Sequence, residues 1–312
     1  MKYNFSNIKK AKKILDKKDC IAIPTETVYG LAANAYSDKA VKKIYKLKKR
    51  PHFNPLIVHY LDLEDLIKDC EINHNFIKLY KKFSPGPITY ILNLKKNSKI
   101  SKIVTNKQNT LAVRFPKHVI TRKLLKDLDY PLAAPSANIS TGVSSVCYRD
   151  VDDEFGKKLK FILDGGRSSI GLESTIISLV NKPKILRLGG LSLSKIKKVL
   201  NKKLIFKINS AKILSPGQMK LHYSPGLPIR LNVKKPKEKE AFILLKKNKK
   251  FTKNIYYLSK NGDLKEAAKN LYFTLRKIKK DKFDSIAVEK IRNLGIGKTI
   301  NDRLLRASKF NG

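Results

Sequence analysis

Short apolar runs that end abruptly at proline or glycine constrain this chain more than any other feature. Ile21-Ala22-Ile23 stops at Pro24, Leu132-Ala133-Ala134 at Pro135, and Ile185 to Leu188 at Gly189-Gly190. Runs this short, with no polar alternation, suit strands covered on both faces. Proline and glycine at their ends throw the chain into loops. Amphipathic helical patterns lie between them. The spacing predicts helices over 6–18, 38–49, 61–68, 75–83, 119–127, 263–280 and 299–309. It predicts strands over 21–23, 56–60, 89–94, 111–115, 161–164, 175–180, 185–188, 241–245, 254–259 and 285–289. Such alternation implies an α/β fold. Ser215-Pro216-Gly217, Ser224-Pro225-Gly226 and Pro228 read as a linker over 209–230. The expected organisation is a domain at 1–208, the linker, and a small α/β unit at 231–312.

Charge separates functional classes. The 312 residues carry 68 Lys+Arg against 25 Asp+Glu, a net charge of +43. Such a balance attracts nucleic acid through counterion release. Yet 57 of the cations are lysines and only 11 are arginines. Lysine also runs along the whole chain, with +28 on residues 1–230 and +15 on 231–312. A nucleic-acid site shows a patch or stripe instead, so most of the excess reads as a solvated surface. Three separated cysteines give no disulfide framework and no zinc spacing. No leader-like apolar core opens the sequence and no run is long enough to span a membrane. A cytoplasmic protein is expected, without membrane partners.

Several loops gather polar residues beside buried strands. Thr25, Glu26, Thr27 and Tyr29 follow the first strand. Lys48, Lys49 and Arg50 end a helix, where dipole complementarity accounts for the lysines. Arg50, however, enters a rigid loop through Pro51 to Asn54-Pro55, suited to holding phosphate oxygens. His59 alone reads more readily as a core histidine than as a ligand contact. Ser136 and Asn138 either cap a turn or face a ligand at a strand end. Thr110, Ala112 and Arg114 share one strand face. Arg114 there needs an anion, and with few carboxylates nearby a ligand carboxylate or phosphate is a candidate. Glu173-Ser174-Thr175 and Arg187 have the same strand-end character. No P-loop, dinucleotide fingerprint or nucleophile elbow is present.

Five blocks occur in order: Pro24-Thr25-Glu26-Thr27-Val28-Tyr29-Gly30-Leu31, Lys48-Lys49-Arg50-Pro51 with Asn54 to His59, Ser84-Pro85-Gly86-Pro87-Ile88-Thr89, Ala134-Pro135-Ser136-Ala137-Asn138, and Glu173-Ser174-Thr175-Ile176. Over about residues 8–200 the chain resembles the Sua5/YrdC family, the L-threonylcarbamoyladenylate synthases. The segment Ser215 to Pro225 resembles that family's interdomain segment, and Gly295 to Leu304 resembles the C-terminal domain of its Sua5-type members. The resemblance implies a YrdC-like twisted mixed sheet with helices, plus a small Rossmann-like parallel α/β C-terminal domain. It implies a nucleotidyltransferase that converts L-threonine, bicarbonate or CO2, and ATP into threonylcarbamoyl-AMP and pyrophosphate. Mg2+ is expected on the ATP, with no metal held by protein side chains. The product would pass to the tRNA threonylcarbamoyl-transfer machinery, with weak tRNA binding as a further expectation.

Carried over by position, Thr27, His59, Arg114, Ala134 and Ser174 form the threonine pocket. Lys48, Arg50, Asn54, Thr110, Ser136, Asn138, Ser144 and Arg187 form the ATP site, with Lys48 and Arg50 as catalytic charges. Tyr223 would close over the nucleotide. Lys49 replaces the glycine usual in the family's motif. The competing readings are a related carbamoyl-adenylate enzyme and an RNA-binding module of the same fold.

Overall fold

A computed structural model describes residues 5–201, 205–206, 221–247 and 253–309. The chain begins with α1 (Phe5–Asp16), β1 (Ile21–Ile23), β2 (Gly30–Asn34), α2 (Asp38–Lys48), β3 (Ile57–His59), α3 (Leu63–Asp69) and α4 (His74–Phe83). It continues through β4 (Ile88–Asn93), α5 (Lys102–Thr105), β5 (Thr110–Arg114), α6 (Val119–Lys126), β6 (Leu132–Ala133) and α7 (Tyr148–Phe155). Then follow β7 (Thr175–Ser178), β8 (Lys184–Arg187), α8 (Leu193–Leu200) and β9 (Ile205–Phe206). A second group holds β10 (Ile229–Leu231), β11 (Glu240–Lys246), β12 (Ile255–Ser259), α9 (Leu264–Lys280), β13 (Ser285–Val288) and α10 (Gly297–Ala307).

The first sheet has nine strands in the order β1-β2-β6-β3-β5-β4-β7-β8-β9. Parallel pairs (β3 with β5, β4 with β7) alternate with antiparallel ones (β5 with β4, β7 with β8), so the sheet is mixed. The second sheet is β10-β13-β11-β12 and all parallel. These are the mixed and parallel sheets expected from the sequence.

Strand alternation assigns the two faces of the first sheet. Val58 and Val113 point into the main core, where α2 contributes Val41, Ile44 and Tyr45 and α4 contributes Phe76 and Leu79. Each such fully buried side chain contributes roughly 1.5–3 kcal/mol. Their neighbours Ile57 and Ala112 point the other way and join Ile91, Ile176 and Leu186 in a small apolar floor. That floor lies under the candidate site.

Helix α2 aims the Lys48–Arg50 loop. Ser37 caps its first turn, accepting from Ala40 N at 3.3 Å. Lys49 ends it at φ +49°, a left-handed cap that glycine adopts without strain.

Some expectations need correction. Residues 161–164 do not form a strand; one bridge joins Ala22 to Ile162. The chain leaves the sheet there because Tyr29 anchors the following loop, its hydroxyl donating to Gly166 O at 2.8 Å and accepting from Gly165 N at 3.0 Å. Gly30 begins β2, a strand that is absent from the expected elements. Helices α5, α7 and α8 were also not anticipated. Of the expected linker, residues 209–220 lie outside the described residues, and its end already belongs to β10. Pro228 is tolerated beside that strand because its carbonyl still accepts from Ile286 N at 2.9 Å.

The loop before β7 and helix α9 meet closely. Gly171 has φ +76°, and a Cβ there would stand 2.6 Å from Lys269 Cα. Glycine therefore lets α9 approach this loop backbone to backbone.

Candidate active site

The site forms where several strand ends converge. After β1, Thr25 Oγ1 accepts from the amides of Thr27 and Val28, both at 3.2 Å, and donates to Val28 O at 2.6 Å. This hydroxyl turn reverses the chain into β2. It also directs Glu26 inward, where its Oε1 pairs with Arg114 at 2.7 Å.

A small cavity of about 40 Å³ brings together His59, Arg114, Ala134 and Ser174 from the expected threonine group. From the expected ATP group it takes Arg50, Ser136, Arg187 and Tyr223. Thr27 stands one shell back, its Oγ1 2.8 Å from the Oγ1 of Thr25, which lines the cavity.

The other four nearby positions support the wall from behind. Lys48 is 1% exposed, and its Nζ donates to Ser136 O at 2.5 Å and to Asn138 O. Asn54 O accepts Arg50 Nε at 3.0 Å, and Pro55 O accepts Arg50 Nη2 at 2.9 Å. The loop thus clasps its own guanidinium. Asn138 Nδ2 donates to Ile139 O and Gly142 O, and Ser144 Oγ donates to Glu173 at 2.6 Å. Thr110 does not line this cavity, although the β3–β5 register places it across from Pro55, whose carbonyl accepts from Arg50. It begins β5 opposite Asn93, four residues from Arg114, or about 13 Å along the strand.

The electrostatics are those of a buried cationic site. Among the described residues, no carboxylate pairs with Arg50. Burial lowers its pKa to about 10, and Arg187 is close enough to add like-charge repulsion. Burial and then Arg50 push Lys48 well below the usual lysine range. Burial, reinforced by Arg114, lowers His59 to about 3, so its imidazole is neutral near pH 7. Arg187 donates from Nε and Nη2 to Ser174 O at 3.1 and 3.0 Å, and from Nη2 to Ser174 Oγ at 3.1 Å. Four buried atoms in the cavity walls, His59 Nδ1, Arg114 Nε, His222 Nδ1 and Tyr223 Oη, have no hydrogen-bond partner among the described residues.

The expectation for Arg114 needs revision. The sequence suggested that its anion must come from a ligand. Glu26 supplies one, and burial of that carboxylate is outweighed by Arg114, which holds its pKa below the usual range. The pairing was hidden because Glu26 and Arg114 are far apart in the chain and meet only where β1 and β5 end together.

Glu173, noted in the sequence only for its strand-end position, and Arg303 and Tyr272, which the sequence did not single out, are further residues of this site. Glu173 lines the cavity and accepts from Arg303 Nε at 2.8 Å and Tyr272 Oη at 3.0 Å. Arg303 and Tyr272 come from α10 and α9, across the boundary between the sheets. The scarcity of arginine was the available signal for Arg303.

A larger cavity of about 650 Å³ lies elsewhere, between α3 and the loop before β6. Its buried Asp69 is already satisfied by hydroxyls of Tyr36, Tyr60 and Ser98 at 2.6–3.0 Å. It gathers none of the expected site residues.

Comparison with known proteins shows the family. Residues 13–189 match the Sua5/YciO/YrdC family, described as "Telomere recombination". Residues 191–309 match "Threonylcarbamoyl-AMP synthase, C-terminal domain". The threonylcarbamoyl-AMP synthase of Pyrococcus abyssi is 36% identical, over 93% of this chain and 90% of that protein. That of Bacillus subtilis is 34% identical, over 98% and 94%. The crystal structure of P. abyssi Sua5 complexed with L-threonine superposes with a TM-score of 0.91 at 32% identity, covering 99% of this chain and 96% of that one. Its paired family matches, its relatives along nearly the whole length and its two-sheet fold establish that the chain belongs to the Sua5 family of threonylcarbamoyl-AMP synthases.

Proposed function

We propose that the cavity binds ATP and L-threonine and that the protein joins them, through a carbamate, into threonylcarbamoyl-AMP. The observation that carries this reading is Arg50. The residue is 7% exposed, and its guanidinium lies near Arg187 at the cavity and is bonded to backbone carbonyls rather than to a carboxylate. Two neighbouring buried cations favour an anionic ligand, and a polyphosphate relieves their repulsion.

The reaction needs no side-chain nucleophile. Threonine's amine takes up CO2 from bicarbonate to give a carbamate. A carbamate oxygen attacks the α-phosphorus, and the bond to pyrophosphate breaks. Arg50 and Arg187 neutralise the phosphates, while Lys48 and Asn138 hold the Ser136 loop against the nucleotide. Arg114, shared with Glu26, and Ser174 take the threonine carboxylate. Neutral His59 offers a hydrogen bond rather than a charge. The contribution of these groups is positioning and charge stabilisation.

Mg2+ belongs to this proposal. The cavity's carboxylate, Glu173, is committed to Arg303, Tyr272 and Ser144. Among the described residues, no group of three His, Cys, Asp or Glu is arranged to hold a metal ion. The cation would therefore ride on the nucleotide's phosphates and stabilise their charge. Among the described residues, no helix is long and apolar enough to cross a membrane. The tRNA-modifying machinery is the proposed consumer of the product.

The cavity volume of about 40 Å³ is far below the ~300 Å³ of a typical ligand pocket. The cavity must therefore widen to admit ATP. The test is pyrophosphate release by purified protein given ATP, bicarbonate and single amino acids. Release should require threonine and bicarbonate together; release independent of either overturns the reading.

A further inference from the structure

Tyr223 is held in place by something other than its own backbone or its hydroxyl. Its φ is +66°, a left-handed conformation that residues with a Cβ rarely adopt. Its hydroxyl is buried without a hydrogen-bond partner among the described residues. Yet the side chain is 1% exposed, so a strained residue with an unsatisfied polar atom is fully packed. Beside the neighbouring His222 ring at 4.0 Å and the Ser224 N to Thr141 O bond at 2.9 Å, stabilising contacts come from the far lobe. The Arg303 guanidinium lies 4.6 Å from the Tyr223 ring centroid, and the Tyr272 ring stacks on it at 5.9 Å with a 19° interplanar angle.

Arg303 is itself fixed on every side. Its Nε donates to Glu173 at 2.8 Å, its Nη2 to Leu188 O at 2.7 Å and its Nη1 to Asp302 at 2.5 Å. One buried side chain from α10 therefore touches three parts of the cavity wall. These are the Tyr223 ring, the Glu173 carboxylate that anchors Ser144, and the backbone next to Arg187. A purely adhesive contact between lobes would need none of these to be site residues.

We infer that Arg303, assisted by Tyr272, is a positioning residue for the adenylate-forming site: the C-terminal lobe holds Tyr223, Glu173 and the Arg187 strand end in their working arrangement. This rests on the reading of the cavity as the ATP site. Arg303 acts through Tyr223 and Glu173 rather than by touching substrate. Its planar guanidinium matters because only a plane both stacks on a ring and bridges a carboxylate to a carbonyl.

The test compares full-length wild type with Arg303→Met, Arg303→Lys, Tyr223→Ala and the Arg303→Met/Tyr223→Ala double variant. Thermal melting, ATP affinity by calorimetry, and KM and kcat for pyrophosphate release are measured on each. Arg303→Met should weaken ATP binding and raise its KM about tenfold. Arg303→Lys should restore melting temperature more fully than KM, because it keeps the charge and loses the plane. In the Tyr223→Ala background, Arg303→Met should change ATP affinity less than twofold further. A lowered melting temperature with wild-type KM and affinity would overturn the inference, as would effects of Arg303 and Tyr223 that multiply independently. If Arg303→Met does not fold, Tyr272→Leu supplies the same comparison. It should raise the KM for ATP at least threefold, and an unchanged KM would overturn the inference. Wild type that binds ATP but shows no threonine-dependent release would instead overturn the assigned reaction, leaving the Arg303 comparison readable from affinity.

Discussion

Replacing Glu173 with glutamine removes the negative centre of the network that joins the two lobes. The carboxylate accepts from Ser144, Tyr272 and Arg303 at 2.6, 3.0 and 2.8 Å and is 5% exposed. Burial opposes its ionisation, but Arg303 and Arg187 outweigh burial and bring its pKa from 4.5 to about 2. A depression of that size contributes about 3 kcal/mol to folded-state stability at pH 7. The folded pKa lies below the unfolded one, so the contribution is complete above about pH 5 and is lost as the pH falls through about 2. At pH 3 only about 1.4 kcal/mol of it remains. Glutamine does not titrate, so the difference between wild type and Glu173→Gln should shrink with acid. Urea titrations of both proteins at pH 7 and pH 3 measure it, and the gap should narrow by about 2 kcal/mol. A gap of equal size at both pH values would refute the claim that buried arginines hold Glu173 ionised.

Arg50→Met should raise the KM for ATP at least about tenfold, the loss expected for a charge-assisted contact, in steady-state pyrophosphate release. Arg114→Ala should shift threonine saturation more than ATP saturation; an unchanged threonine KM removes Arg114 from the carboxylate site. Gly189→Ala would place a Cβ 2.2 Å from Ser174 C and 2.3 Å from Thr175 N. It should lower stability by about 1–3 kcal/mol in urea unfolding and raise the threonine KM by displacing Ser174. Lys49→Gly relieves a residue held at φ +49°. It should raise the urea midpoint by up to about 1 kcal/mol of stability, and a lowered midpoint would contradict the strain argument.

Much of the first sheet was legible because its strands are short apolar runs with proline or glycine at their ends. Arg50 was legible as a rigid-loop cation because Pro51 and Pro55 stiffen the loop it enters. Less legible were β2, whose leading glycine reads as a turn, and α8, whose lysines mask a stripe through Ile196 and Leu200. Residues 161–164 have strand composition, but the Tyr29 anchor on Gly165 and Gly166 limits them to a single bridge. Lys48 was expected at the phosphates. Its place behind the Ser136 loop depends on how α2 meets the segment after β6, which no local pattern encodes.

The opening pattern of interrupted apolar runs determined that this chain is an α/β protein with polar loops at strand ends, while the mixed sheet was implied by the family resemblance. The order of five loop motifs determined which family it joins. Both are local properties, set by side-chain periodicity and by the backbone limits of proline and glycine. Tertiary structure alone decided which charges meet. It paired Arg114 with Glu26, and it brought Arg303 and Tyr272 from the last two helices onto Glu173 and Tyr223. Those pairings join residues up to 130 positions apart. Electrostatic and stacking forces act over a few ångströms, so such partners exist only once two packed lobes have brought distant segments together.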